Sequence, residues 1–238
     1  MAPKYDINSG QTLETLKKLS AGSVDGICVL MRHSERDYHE NAAMEPFMGL
    51  TENGKTAAAD LGAALPADFD PAIFSSHFGR CIETAYLIDK GFTRQNGQFG
   101  AHPVISADLS PFYIRHIETA IQMVEEMTPD RFLRAWFNRE IPETVMEDPQ
   151  QAALRITSFL KEQLDWEKSS RQPVSICVTH DWNIFPVKEY IMGLSHEKDG
   201  PVGYLDAVFL LRKNNRYFMA SRQKEPLEVT HLIQEQAN

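Results

Sequence analysis

Short apolar runs along the chain predict the strands of a buried sheet. The run at residues 27–31 is continuous, which is typical of a strand covered on both faces. Residues 72–75 and 174–179 have a similar character and predict two further strands. Residues 207–211 and 217–220 flank a short polar segment, and this pattern predicts a closing hairpin.

Apolar residues at helical spacing separate these runs. A leucine repeat predicts a short helix over residues 8–20, and Thr51 can cap a second helix. Residues 78–88 and 184–191 return to the helical period after the second and third strands. Strands that alternate with helices predict an α/β layered architecture, in which ligands bind outside the carboxyl ends of the strands.

A mainly helical stretch, residues 108–165, predicts an insertion that caps a cleft. One apolar stripe within it consists of Ile114, Ile117, Ile121 and Val124. Neither an internal repeat nor a low-complexity segment divides the chain. We therefore predict a single domain over residues 1–238, with 108–165 as its helical insertion.

Composition limits the classes of partner. The chain is 42% hydrophobic and 24% charged, as in soluble globular proteins, and its net charge of -9 opposes binding to nucleic acid or to an anionic membrane. The longest strongly apolar run is too short to span a bilayer, and the first twenty residues have no apolar core of a signal peptide. Cys28, Cys81 and Cys177 lack paired spacing, which favours a reducing cytoplasm. No metal-ligand motif or cofactor is indicated, and the oligomeric state stays open.

Polar pairs follow two of the predicted strands directly. Arg32 and His33 come after the first strand, and His180 and Asp181 come after the strand at 174–179. Arg80 falls in the first turn of the helix that follows the second strand. Because these positions lie at the carboxyl ends of strands in an α/β fold, we expect them to converge.

These residue types suit phosphate chemistry. A phosphoryl group in transfer spreads negative charge over its oxygens, so a site needs several fixed cationic donors. The guanidinium groups of Arg32, Arg36 and Arg80 can bond two phosphate oxygens at once and stay charged. The alternative for Arg36 is a solvated ion pair with the acidic residues beside it.

A nucleophile and an acid complete this scheme. Neutral imidazole can attack phosphorus, and surrounding arginines favour the neutral form, so His33 is the candidate nucleophile. His180 would donate a hydrogen bond to the phosphate. Asp181 would protonate the leaving alcohol and later accept a proton from water.

Four motifs resemble those of the histidine phosphatase superfamily, also called phosphoglycerate-mutase-like. Residues 30–36 read Leu-Met-Arg-His-Ser-Glu-Arg, similar to the family's Arg-His-Gly motif. Residues 50–54 are similar to its Leu-Thr-x-x-Gly, and residues 75–85 to its Ser-Ser-x-x-x-Arg-x-x-x-Thr-Ala. Residues 179–181, Thr-His-Asp, supply its late histidine. The ordered set is far more specific than any one motif.

The resemblance implies a three-layer α/β/α fold with a mostly parallel central sheet, and a small phosphorylated substrate. It implies hydrolysis of a phosphomonoester through a phosphohistidine at His33. Ser34 stands where the family has glycine, so it adds a side chain near the expected phosphate. One alternative, made plausible by Ser34, is therefore a phosphate-binding protein with weakened catalysis. A second alternative, independent of Ser34, is a phosphomutase.

The resemblance leaves two candidates for the proton donor. In the acid-phosphatase-like branch the donor is the aspartate directly after the late histidine, here Asp181 in His-Asp-Trp-Asn. In the mutase-like branch it is a carboxylate from the middle of the chain, for which Asp108 is the candidate. We favour Asp181, and we count His77 and Asn183 as further candidates for the pocket.

Overall fold

The computed structural model describes residues 5–96, 103–164 and 171–234, and a seven-stranded mixed sheet runs through this part of the chain. Its strands are β1 (Gly26–Arg32), β2 (Phe69–Ser75), β3 (Val104–Ile105), β4 (Gln172–Thr179), β5 (Ala207–Lys213), β6 (Arg216–Ser221) and β7 (Lys224–Glu228). The order across the sheet is β3-β2-β4-β1-β5-β6-β7. All the predicted strands are present, and β3 and β7 are additional.

The sheet is parallel in one half only. The pairings β3-β2, β2-β4 and β4-β1 are parallel, whereas β1-β5, β5-β6 and β6-β7 are antiparallel. The prediction of a mostly parallel sheet was therefore too broad, because short turns join the last three strands and such turns permit only antiparallel pairing. Asn214 and Asn215 form the β5-β6 turn with φ of 52° and 61°, which confirms the predicted hairpin.

Helices connect the strands in the described ranges. They are α1 (Ser9–Ser20), α2 (Glu52–Ala64), α3 (Gly79–Asn96), α4 (Ile117–Met127), α5 (Pro129–Phe137), α6 (Pro149–Leu164), α7 (Asp181–Pro186), α8 (His196–Asp199) and α9 (Thr230–Gln234). A π-helical turn, Val187–Ile191, extends α7. Thr51 caps α2 as predicted, since its hydroxyl accepts from the Gly54 N–H at 2.9 Å. None of the described helices is long and apolar enough to cross a membrane.

Alternate residues of the central strands pack into two different helical layers. In β1, Ile27 and Val29 face a core shared with α1, α2 and α3, whereas Cys28 and Leu30 face a core shared with α6 and α7. Every residue of β1 is buried. This confirms the three-layer α/β/α architecture and explains why the run at 27–31 is continuously apolar.

Residues 113–146 of the predicted insertion form a separate apolar cluster, whereas α6 at the end of the insertion packs in the sheet core with β1. Residues from α5, with Trp136 at its centre, pack on Tyr113 and Met146. The predicted stripe divides differently: α4 begins at Ile117, and Ile114 precedes it in an isolated bridge to Met146. Ile117 is 55% exposed and therefore does not belong to this cluster.

Helices α2 and α3 approach each other at backbone distance through two glycines. A Cβ at Gly62 would lie 2.0 Å from the Ile88 carbonyl oxygen, and one at Gly91 would lie 2.1 Å from the Ala59 carbonyl oxygen. Such distances leave no space for a side chain. The small residues therefore fix the spacing of α3, the helix that carries Arg80.

We predict that Gly62→Ala lowers the free energy of unfolding by about 1–3 kcal/mol, because the added methyl group forces the two helices apart. Urea denaturation measures the change. The matched control is Gly10→Ala in α1, where an added Cβ has nothing within 4 Å and alanine favours the helix. Equal stability of the two variants would contradict the close contact.

Candidate active site

The parallel pairing of β1 and β4 brings the two predicted histidines together. Arg32 lies opposite Thr179 in the register, and the His33 N–H donates to the Thr179 carbonyl at 2.8 Å. His180 follows Thr179 directly. The imidazole ring centroids of His33 and His180 are 5.5 Å apart, with both residues buried.

Hydrogen bonds fix the tautomer of His33. Its Nε2 lies 3.1 Å from Arg80 Nε, which can only donate, so Nε2 is the acceptor. Its Nδ1 lies 2.8 Å from the Ser34 carbonyl oxygen and therefore carries the proton. The lone pair that could attack phosphorus is thus on Nε2.

Both histidines are held in the neutral form. Burial lowers the pKa of His33 well below its usual range, and the nearby His180, Arg32 and Arg80 lower it further. Burial likewise lowers the pKa of His180 well below its usual range, with Arg80 and Arg32 as the next causes. A neutral imidazole at His33 is the form that a nucleophile requires.

Arg80 connects the two histidines to the loop across the pocket. Besides His33, its guanidinium contacts His180 Nδ1 at 3.4 Å and donates to the Glu45 carbonyl at 3.2 Å. Thr84, the threonine of the same motif, donates to the Arg80 carbonyl at 2.7 Å and accepts from the Ser34 N–H at 3.1 Å. The motif therefore ties the start of α3 to the segment after β1.

Aromatic rings and hydrogen-bond acceptors hold the Arg32 guanidinium in place, although its Nε has no hydrogen-bond partner among the described residues. Its guanidinium lies 4.4 Å from the ring centroids of both Tyr5 and Tyr204, so it is stacked between two aromatic faces. It donates to the Val202 carbonyl at 2.6 Å, and its Nη2 lies 3.0 Å from Asp181 Oδ2. The side chain is only 3% exposed, so it presents a fixed charge to the pocket.

The two candidate proton donors lie in different surroundings. Asp181 is the first residue of α7 and lines the same pocket as His33. Asp108 is instead bound by the Arg155 guanidinium at 2.8 Å and is not among the described residues that line this pocket. The structure brings Asp181 to the histidines and keeps Asp108 away from them.

The other candidates have contacts outside this pocket. The Ser34 hydroxyl turns away and donates to the Gly54 carbonyl at 2.7 Å, so it does not occupy the space that the resemblance reserved for phosphate. His77 is hydrogen-bonded to Ser110 at 2.7 Å. Asn183 is buried, accepts from the Tyr113 hydroxyl at 3.1 Å and donates to the Ser110 carbonyl at 3.2 Å. These contacts tie the insertion to α7.

Arg36 both forms an ion pair and lines the pocket. Its guanidinium is paired with the Glu45 carboxylate and stacks on the Tyr38 ring at 4.0 Å. Its side chain is 13% exposed, so the pair is not a freely solvated one. Arg36 is therefore a third guanidinium at the same pocket, beside Arg32 and Arg80.

The pocket has a volume of about 350 Å³ and two unlike ends. The charged end contains Arg32, His33, Arg36, Arg80, His180 and Asp181. The opposite wall, mainly from the insertion, contains Pro111, Tyr113, Ile114, Val124, Pro129 and Trp182.

Sequence reasoning missed Tyr5, Tyr38 and Glu45, for which no motif gave a signal. Within the described ranges no three His, Cys, Asp or Glu side chains converge as a metal site would require.

The chain belongs to the histidine phosphatase superfamily (branch 1), whose family profile matches residues 28–201. The matched range begins in β1 and includes His33, Arg80 and His180, which the geometry brings together. No curated protein sequence matches the chain significantly.

Solved structures share the fold at low sequence identity. A phosphoglycerate mutase from Bacillus anthracis str. Sterne is 16% identical with a TM-score of 0.55, and the match covers 90% of this chain and 97% of that one. A phosphoserine phosphatase mutant from Entamoeba histolytica in complex with phosphoserine is 14% identical, with a TM-score of 0.52 and coverage of 82% and 95%. A mycobacterial glucosyl-3-phosphoglycerate phosphatase is 17% identical, with a TM-score of 0.51 and coverage of 82% and 97%. These likenesses confirm the phosphoglycerate-mutase-like fold.

The neutral histidines predict a loss of stability in mild acid. Because the pKa of His33 is lower in the folded chain than in the unfolded one, the unfolded state binds more protons below about pH 6.5, and stability falls as the pH falls. Between about pH 7.5 and about pH 5.5 we expect a loss on the order of 1 kcal/mol for each such histidine.

Denaturation at several pH values checks this. We expect His33→Gln to have a shallower pH dependence than the wild type, whereas the matched control His231→Gln, at an exposed position, should keep the wild-type dependence. An unchanged dependence in His33→Gln would show that His33 is not held neutral.

Proposed function

We propose that this protein is a phosphomonoester hydrolase that acts on a small phosphorylated substrate through a phosphohistidine at His33. The observation that carries the proposal is the unprotonated His33 Nε2, held by Arg80 in a pocket with three guanidinium groups. Those guanidiniums can neutralise the charge on the transferring phosphoryl group. Family membership supports the same class of reaction.

The first step forms a bond between His33 Nε2 and phosphorus and breaks the bond from phosphorus to the alcohol oxygen. Asp181 gives its proton to that oxygen, so the product leaves as a neutral alcohol. The Ser34 carbonyl accepts from His33 Nδ1–H and therefore stabilises the positive imidazole ring of the intermediate. Water then attacks phosphorus, gives a proton to Asp181 and releases His33 and inorganic phosphate.

Asp181 suits the role of acid because of what binds beside it. In the free protein it pairs with Arg32, at 3.0 Å. A bound phosphate would compete for the same guanidinium and would release the Asp181 carboxyl group from this pair. The other carboxylate at the pocket, Glu45, is engaged by Arg36 and by the His39 N–H.

The Ser34 side chain no longer supports the alternative of a weakened binding protein. Its hydroxyl is bonded to the Gly54 carbonyl, on the side away from the charged pocket. The Ser34 side chain is therefore not part of the lining of the charged pocket. A cytoplasmic setting is part of the proposal, since all three cysteines are buried free thiols.

We predict that His33→Ala abolishes hydrolysis of 4-nitrophenyl phosphate, because the attacking nitrogen is lost. Rapid quenching of the wild type should trap an acid-labile phosphoprotein that the variant does not form. Undiminished turnover by His33→Ala would refute the mechanism. Return of the phosphate to a second hydroxyl group of a diol monophosphate, without phosphate release, would identify a mutase instead.

Asp181→Asn should slow hydrolysis by about 100- to 10,000-fold for alkyl phosphates, whose poor leaving groups need a proton. The loss should be much smaller for 4-nitrophenyl phosphate, because nitrophenolate leaves unprotonated. The matched variant Asp108→Asn tests the rival donor and should keep wild-type rates with both substrates. A selective loss with alkyl phosphates in Asp108→Asn, and none in Asp181→Asn, would reverse the assignment.

A further inference from the structure

A second pocket of about 310 Å³ lies directly beside the charged one. The two pockets share Pro111 and Ile114 in their walls, so one continuous apolar surface joins them. The apolar residues that line the second pocket are Phe78, Ala107, Pro111, Phe112, Ile114 and Ile117.

The polar groups of the second pocket already bind one another. Its two polar lining residues are His77 and Ser110, whose Nδ1 and Oγ atoms are 2.7 Å apart. The Ser110 hydroxyl also contacts Ser76 Oγ at 3.0 Å, and that oxygen contacts His180 Nε2 at 3.1 Å. Two hydrogen bonds thus link the Ser110 hydroxyl at the second pocket to His180. The surface that this pocket presents to a ligand is mainly hydrocarbon.

The described lining of the second pocket has no permanently charged side chain. No carboxylate, ammonium or guanidinium group occurs among the described residues that line the second pocket. The Arg155 guanidinium is not among these lining residues; it lies 4.1 Å from the centroid of the Phe112 ring and is bound to Asp108. A substrate with a second anionic group would therefore find no counter-charge here, and its desolvation would be unfavourable.

Ile117 marks the open side of this surface. It is 55% exposed at the start of α4, although the insertion has an apolar cluster close by. Leaving this side chain in water brings no stabilisation to the folded chain. An apolar ligand that covers Ile117 would remove this side chain from water, and its binding would gain the corresponding hydrophobic free energy.

We propose that the second pocket binds the alcohol portion of the substrate, and that the substrate class is phosphomonoesters of apolar alcohols. The phosphate lies among the arginines, and the hydrocarbon extends over Pro111 and Ile114 towards Ile117. The assignment of catalysis rests on the proposed function, but binding of the apolar group does not require turnover.

Alkylphosphonates test the binding directly, because their P–C bond is not hydrolysed. By titration calorimetry, affinity for the wild-type protein should rise about three- to fourfold for each methylene added from ethyl- to octylphosphonate, until the pocket is filled. A flat series would overturn the inference. The kcat/KM of the corresponding alkyl phosphates should rise with chain length in parallel.

Two variants localise the effect. Ile117→Asp should flatten the alkylphosphonate series, because it puts a carboxylate against the hydrocarbon. The matched control Ile105→Asp alters an isoleucine of equal exposure, 56%, that lines neither pocket, and should keep the full series. A chain-length dependence that survives Ile117→Asp would refute this site. Rising affinity without hydrolysis of any ester, 4-nitrophenyl phosphate included, would uphold the subsite and refute the proposed function.

Discussion

The parallel pairing of β1 with β4 is the contact on which the whole site depends. Its register sets Arg32 opposite Thr179, and the hydrogen bond from the His33 N–H to Thr179 extends the pairing one residue beyond the strand. His33 and His180 therefore leave the sheet at the same edge and on adjoining strands. A slip of one residue would turn their side chains to opposite faces and separate the two imidazoles. The buried apolar faces of both strands oppose such a slip, because each face fits a different helical layer.

The charges at this edge of the sheet serve two purposes at once. Three guanidiniums provide the positive field that a phosphate ester requires, and the same field, together with burial, keeps His33 and His180 neutral. Arg80 combines both purposes in one side chain, since it donates to the lone pair of His33 and faces the pocket. A bound phosphate would draw this guanidinium towards its own oxygens and free the lone pair. The guanidinium that fixes the tautomer of His33 is thus also the group that must move before the attack that we propose.

The sequence predicted the site residues that belong to short motifs beside strands and helices. It did not predict contacts between residues that only folding brings together. His33 and His180 each directly follow a predicted strand, and Arg80 lies in the first turn of the helix after another strand. Because the carboxyl ends of such strands meet in an α/β fold, the sequence predicted that these residues converge. Glu45 could not be predicted, because it lies in a short 3-10 helix that carries no motif, nine residues after the Arg36 with which it pairs. The direction of the Ser34 hydroxyl was equally out of reach, since its acceptor is 20 residues away. The antiparallel half of the sheet was underestimated because β7 is largely exposed and has no apolar run.

The separate apolar cluster of the insertion has a consequence for how this chain can diversify. The catalytic edge is built from β1, β4 and α3, whereas much of the wall opposite it rests on a core of its own around Trp136. Hydrogen bonds between Asn183 and both Tyr113 and Ser110 join the two, and α6, at the end of the insertion, packs directly in the sheet core with β1. Substitutions in α4, whose residues lie outside the two cores of the sheet, can therefore change this wall without altering the edge that carries the histidines. A graft that exchanged α4 between relatives, with α6 and the Asn183 contacts retained, would be expected to transfer the proposed selectivity for the alcohol.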